Sequence, residues 1–495
     1  MALRFRQMVT GLIVSVLFTT FSEACYGSSG REILSTQTLK HDLTLKPDYD
    51  TGNLEGISKI TILNSSQESI TRVPLILYHM LQVESAHTSD DGTLAFTQHV
   101  VPMKGHEKML VNYIEIALDE PLSPGETVTL ATQYRGKLAG YMEAGNLYVK
   151  DRVSGEFTIF RLDCLAYPVV CYPSAAAFRE SAHRDIREGW DYLLEVTVPE
   201  SFVVANGGKL IGKTHKNGDV TYSYQNIKPA WRIDACVAKY GVVQDEKASL
   251  RVFFLPDHEE QARTVLDALL RSLLFFSECF APLRDFEGFA VIEVPDGYGS
   301  QADVTCILLD AEAFRGNLSR LYHEVSHLWN PPCLDEHPSR FESEGLARFF
   351  EYWLPEKLDK KTGQLQRGLE ICRKRFRDQC KRDPKYIHIP LAHYGRENCT
   401  DASYTKGMIA FWLLFRIVGE EAFIDIYRSF HQEYRDKGAT LEDFRRTAER
   451  VSGKDLQKFF EDWVFGTQSS RYLLGDLSLE QILKLYVVEQ SAPAD

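Results

Sequence analysis

The chain has 495 residues, too many for one ordinary core, so two or three domains are expected; 44% hydrophobic and 25% charged residues is the composition of a folding globular protein. With 69 acidic against 56 basic side chains, the net charge is −13. That balance repels phosphate backbones and excludes nucleic acid as a partner unless the basic groups share one face, and Arg373-Lys374-Arg375 with Lys381-Arg382 are spaced as the solvated face of a helix instead.

Arg4 and Arg6 precede an apolar run from about Met8 to Phe21, and Ser22-Glu23-Ala24 then places small residues where a signal peptidase prefers them. Residues 1–24 therefore read as a secretion signal, and the mature chain is expected to be secreted or extracytoplasmic. Retention through an uncleaved signal is an alternative, although the run is short for a span. A lipid on Cys25 is another, to which Phe21 and Glu23 are poorly suited. No later stretch reaches membrane length, because Arg271 and Arg416 interrupt the two longest apolar runs, so no stable span is expected after signal removal. Ten cysteines in an exported chain permit disulfides. Cys164 with Cys171 is a candidate local pair; Cys372 and Cys380, two helical turns apart, would be separated by roughly 12 Å.

From about Ser35 to Val243 the text favours strands: Ile60-Thr61-Ile62, Val128-Thr129-Leu130, Phe157 to Phe160 and Tyr192 to Val198 alternate between turns at Asp90-Asp91-Gly92, Pro124-Gly125 and Asn206-Gly207. From about Glu259 the period becomes helical, around Gln261 to Phe276, Leu318 to Trp329, Ser339 to Trp353, Gly363 to Cys380, Lys406 to Val418 and Leu441 to Val451. The expected organisation is α+β and multidomain: a β-rich domain over 35–245, a mainly α domain over 246–470 and a tail over 471–495.

Within the helical half stands His323-Glu324-Val325-Ser326-His327. Residues four apart on a helix differ by about 40° around the axis, so both imidazoles can face one ion, with a carboxylate beside them that can take a proton from metal-activated water. A chain of this composition would contain such a pentapeptide by chance roughly three times in a hundred. A catalytic zinc also needs a third protein ligand and an open position. Glu342 and Glu344 are the nearest candidates. Ser339-Arg340-Phe341-Glu342 has the form of a capping box, which gives Glu342 a structural task. Glu344 projects about 200° away around the same helix, so the two cannot both face the metal, and Glu344 is the expected ligand.

His323-Glu324-Val325-Ser326-His327 followed by Glu344-Gly345-Leu346-Ala347 resembles the aminopeptidase N and leukotriene hydrolase family of gluzincins, whose third ligand opens a Glu-Gly-Phe-Ala-type segment. The resemblance implies a thermolysin-like peptidase domain, one zinc ion and peptide substrates. The spacing departs from the family, with sixteen residues between His327 and Glu344 where the family usually has about eighteen; a shorter loop over 331–338 would absorb the difference. Tyr404-Thr405-Lys406-Gly407 is similar to the family's Tyr-x-Lys-Gly segment, whose tyrosine donates a hydrogen bond to the oxyanion. Thr440 to Phe444 and Asp455 to Val464 resemble its closing helices, and Ala205-Asn206-Gly207 the end of its N-terminal domain.

Family aminopeptidases hold the substrate amine with the glutamate of a Gly-x-Met-Glu-Asn strand. The matching stretch here is Gly297-Tyr298-Gly299-Ser300-Gln301-Ala302, with Gly299 and Gln301 as substrate-binding candidates and Ser300 or Gln301 standing where the glutamate is expected. A neutral amide accepts a hydrogen bond from an ammonium but lacks the charge that makes such a contact roughly twice as strong. Asp163 or Glu293 could supply it. The resemblance thus implies an aminopeptidase, with an endopeptidase, another amide hydrolase or a non-catalytic binding protein on the same fold as alternatives.

Overall fold

The structure, a computed structural model, describes residues 36–88, 92–283 and 286–487. The expected signal at 1–24, Cys25, and Asp90-Asp91 of one expected turn lie outside those residues. Two compact units make up the fold. One runs up to Leu266 and takes in Glu287–Arg315; the other comprises Asp267–Phe286 and everything from Gly316 onward.

In the first unit a seven-stranded sheet is ordered Lys209–Lys216, Asp219–Gln225, Asp191–Pro199, Thr36–Asp48, Asn53–Asn64, Thr127–Lys137, Leu81–Thr88. Its neighbours are antiparallel except Thr36–Asp48 with Asp191–Pro199. Inward and outward residues alternate, most regularly along Asn53–Asn64, so Leu54, Ile60 and Ile62 enter a core shared with Val73, Leu75, Ile114 and Ile116 of a four-stranded sheet. The helix Ala175–Glu188 interrupts this strand-rich half.

A five-stranded sheet closes the same unit, in the order Gly241–Asp245, Leu250–Phe254, Phe289–Val294, Cys306–Asp310, Gln301–Ala302. Its three middle strands are parallel, and all six residues of Phe289–Val294 are buried. Cys164 and Cys171, the expected local pair, are not bonded, and none of the nine described cysteines is in a disulfide. The Cys171 thiol donates to the Tyr172 carbonyl at 3.1 Å instead.

The second unit is helical, with Ser319–Ser326, Leu346–Leu358, Gln364–Arg382, Met408–Val418, Glu420–Tyr434 and Leu441–Ser452 as its main members. An aromatic core fastens them, in which Phe350 meets Phe276 edge to face at 5.1 Å and Phe349 packs on Trp353, Phe415 and Phe423. Thr440 and Asp443 form a complete capping box. The one expected at Ser339 and Glu342 does not form: Arg340 turns to φ 64°, Ser339 Oγ accepts the Phe341 amide at 3.2 Å, and Glu342 hydrogen-bonds its own backbone amide. The expected tail carries two short helices, Gln468–Leu474 and Leu479–Leu483, with Leu473 and Ile482 buried. Among the described residues no helix is long and apolar enough to cross a membrane.

Candidate metal centre

The helix Ser319–Ser326 carries His323 and Glu324, and a tighter turn, His327–Trp329, continues it. His323 Nε2 lies 3.2 Å and His327 Nε2 3.7 Å from one oxygen of Glu344, Oε2. Ligand atoms of these three residues all fall within 4.8 Å of one another. A tetrahedral ion with ligand bonds of roughly 2.0–2.1 Å spaces its donors about 3.3 Å apart, and two imidazoles with one carboxylate are a catalytic zinc donor set, so the side chains fit that ion. Glu344 reaches the histidines despite the shorter spacing because the intervening loop is pinned: Leu334 donates to the Ala439 carbonyl and Ala439 to the Pro332 carbonyl, each at 2.9 Å.

Glu344 stands in a wide π-type turn, Phe341–Gly345, which leads into Leu346–Leu358. Tyr404 stands in a second such turn, Ser403–Gly407, before Met408–Val418. The two turns meet glycine to glycine: a Cβ on Gly407 would lie 3.0 Å from the Gly345 Cα, and one on Gly345 3.1 Å from the Gly407 Cα. Phe341 stacking on Phe411 at 4.3 Å locks the same junction. The outcome is a Tyr404 ring parallel to that of His323, centroids 6.0 Å apart.

A carboxylate not singled out in the sequence stands behind His323. Glu351 Oε2 is 3.2 Å from His323 Nδ1, and Arg348 Nη1 donates to both Glu351 oxygens at 2.5 Å. A carboxylate on Nδ1 leaves Nε2 free to coordinate and raises its basicity. Glu351 follows Glu344 by two helical turns, which is the signal that could have found it. On the other imidazole, the Asn330 Nδ2 lies 3.0 Å from His327 Nδ1, a contact in which the amide can only donate, so it does not repeat the part of the Glu351 carboxylate. Two guanidiniums stand at the same centre: Arg320, 3.7 Å from Glu351, and Arg340, paired with Glu344.

The electrostatics agree with a site built to hold a cation. Burial opposes a charge on His323, yet Glu344 and Glu351 raise its pKa to about 8. Burial also works against the Glu344 carboxylate, but Arg340 and the imidazoles hold it well below the usual range. His327 is pushed down to about 4 by burial. Glu324 is raised to about 7, chiefly by burial, and its Oε1 makes no hydrogen bond.

Gln301 and Gly299 belong to the other unit. Gly297 and Gly299 take positive φ in a turn whose Ser300 Oγ accepts the Asp310 amide at 3.0 Å. Gln301 is held at both ends of its carboxamide. Its Nε2 donates to Asp163 at 2.9 Å, and its oxygen accepts from Arg232 at 3.2 Å and Arg161 at 3.5 Å. Asp163 also takes Arg232 at 2.5 Å and Tyr148 at 3.2 Å. Glu293, the other acid considered, is occupied by the Leu255 amide and by His258, each at 2.7 Å.

Residues 303–463 match the family model described as Peptidase family M1 domain. The chain is 21% identical over 453 residues to Aminopeptidase M1-B of Oryza sativa subsp. japonica, covering 86% of this chain and 49% of that protein. It is 23% identical over 502 residues to Aminopeptidase 2, mitochondrial, of Saccharomyces cerevisiae, covering 90% and 49%. The chain spans about half the length of these relatives. In fold it is similar to an M1 zinc metallopeptidase from Deinococcus radiodurans: a mutant of that protein bound to a Tyr-ser-ala substrate superposes with a TM-score of 0.62 at 18% identity, covering 87% of this chain and 94% of that one. Another structure of that protein gives 0.58 at 18%, covering 90% and 94%.

Proposed function

We propose, from the match of residues 303–463 to the model described as Peptidase family M1 domain, that the protein is a zinc-dependent metallopeptidase acting as an aminopeptidase on peptides. The observation that carries the reading is the convergence of His323, His327 and Glu344 with Glu324 and Tyr404 beside them. Zinc at that donor set supplies Lewis acidity to water and to the scissile carbonyl. Glu324 takes the proton of the attacking water and later passes it to the leaving amine. Tyr404 donates a hydrogen bond to the charge that develops on the carbonyl oxygen, a role suited to a phenol because it brings no charge of its own. Glu351 holds the His323 imidazole in orientation. The leader expected at residues 1–24 would support action outside the cytoplasm.

An endopeptidase is the second reading, favoured by Gln301. Its carboxamide is committed to Asp163, Arg232 and Arg161 and carries no charge to offer a substrate ammonium. The test compares the zinc-loaded protein with Glu324→Gln on a mixed peptide library. Glu324→Gln should keep its zinc and lose roughly 10²–10⁴-fold in kcat. Blocking the peptides' N-termini should abolish cleavage by an aminopeptidase and spare an endopeptidase. Zinc retained with no cleavage by either protein would reject both readings and leave a binding protein.

A further inference from the structure

The metal donor set is not the whole charge content of this centre. Arg320 precedes His323 by three residues, Glu324 by four and His327 by seven, so the four side chains occupy one stripe of the motif helix and its continuation. Its Nη1 stands 3.7 Å from Glu351 Oε2, an ion-pair distance too long for a hydrogen bond, so its donors are not saturated by that partner. Its charge also acts on Glu324 and Tyr404. A second guanidinium, Arg340, pairs with Glu344 and lies 5.9 Å from the centre of the Tyr404 ring.

Exposure sorts these groups. The side chains of Arg320 and Arg340 are 22% and 23% exposed and that of His327 19%, against 1% for His323, 4% for Glu344 and 9% for Glu351. The open side of the centre therefore presents two guanidiniums and one imidazole, with the carboxylates turned inward. Formal charge points the same way. Glu324, Glu344 and Glu351 are matched one for one by Arg320, Arg340 and Arg348, so a divalent ion at the donor set leaves the centre positive.

We infer that this centre selects substrates that carry a carboxylate one or two residues from the scissile bond, with Arg320 as its anchor; the inference rests on the peptidase reading above. The distances suit that span. Along the helix axis Arg320 is about 4.5 Å from His323 and about 10 Å from His327, while an extended peptide advances at most ~3.3–3.6 Å per residue. A guanidinium is also the side chain that matches a carboxylate with two parallel hydrogen bonds. Two sources offer that group: the free C-terminus of a dipeptide or tripeptide, and an acidic side chain next to the cleaved bond.

The test reads binding and turnover separately. In zinc-loaded Glu324→Gln protein, calorimetry compares Leu-Ala with its C-terminal amide, and Leu-Asp-amide with Leu-Asn-amide. The carboxylate member of at least one pair should bind tenfold or more tightly, the first pair reporting the terminus and the second the side chain. Adding Arg320→Met should erase the preference, and Arg320→Lys should restore part of it; zinc content and melting temperature of each variant separate a lost anchor from a lost fold. Equal affinity within both pairs, or a preference that survives Arg320→Met, overturns the inference. The same peptides offered to the unsubstituted protein distinguish the two readings. Selective binding without cleavage would keep the anchor and sink the peptidase, whereas cleavage with equal kcat/KM within each pair would do the reverse.

Discussion

Glu351 shows how much of a metal site can hide behind its ligands. It touches no ion, yet it meets Nδ1 of His323 and is itself fastened by Arg348. Replacing it with Gln keeps the shape but removes the charge behind the imidazole, and zinc affinity should fall roughly 10–100-fold. Titration against a competing chelator reads that loss, and an unchanged affinity would show that the carboxylate serves packing alone. The motif residues are legible because their spacing is local: His323, Glu324 and His327 lie within about one turn of a helix. Glu351 was passed over because a lone glutamate on an amphipathic helix looks like any solvated residue. Arg320, on the motif helix, is hidden for the same reason.

At the scale of elements, the decisive feature is the contact between two π-type turns. An α-helical reading of Ser339 to Trp353 and Lys406 to Val418 found the helices and missed the wide first turn of each, since hydrogen-bond pattern leaves little trace in apolar spacing. Gly345 and Gly407 bring backbone against backbone there, and the residues before them, Glu344 and Tyr404, both neighbour His323. Gly407→Ala places a methyl 3.0 Å from the Gly345 Cα, where nothing soft can yield. It should cost about 1–3 kcal/mol in denaturant unfolding and lower turnover while leaving the His323 and His327 pair on its own helix. Wild-type stability in that variant would mean that the turns can part without loss. The parallel strands of the five-stranded sheet escaped the sequence for a different reason. Phe289–Val294 is apolar throughout, and a short continuous apolar run has no period by which to tell strand from buried helix. The helix Ala175–Glu188 was likewise submerged in a strand-rich half.

For the molecule as a whole, stability in the β-rich unit carries a pH dependence set by His41. The ring is buried, hydrogen-bonded to Ser58 at 2.8 Å, and pushed down to about 3 by burial. An unfolded histidine takes up its proton near pH 6.5. The neutral folded ring therefore contributes stability that is present above pH 6.5 and lost as pH falls toward 3, at about 1.4 kcal/mol per pH unit from this group. Melting curves between pH 7.5 and 4.5 should show the wild type losing more stability than His41→Gln; parallel losses would exclude the histidine as the cause.

The sequence by itself determined the features that act over a few residues. These are the α+β character, because strand and helix periods are local, and the zinc motif with its attacking carboxylate, because helix geometry alone brings positions 323, 324 and 327 together. Resemblance extended that to Glu344 and Tyr404, which the fold brings to the same centre. Only the tertiary structure decided which distant groups meet. Glu351 stands behind His323, two guanidiniums line the open side, Gln301 is spent on Asp163, Arg232 and Arg161, and Cys164 and Cys171 stay apart. Those pairings follow from how helices and sheets pack across long stretches of chain, and spacing along the chain does not encode them.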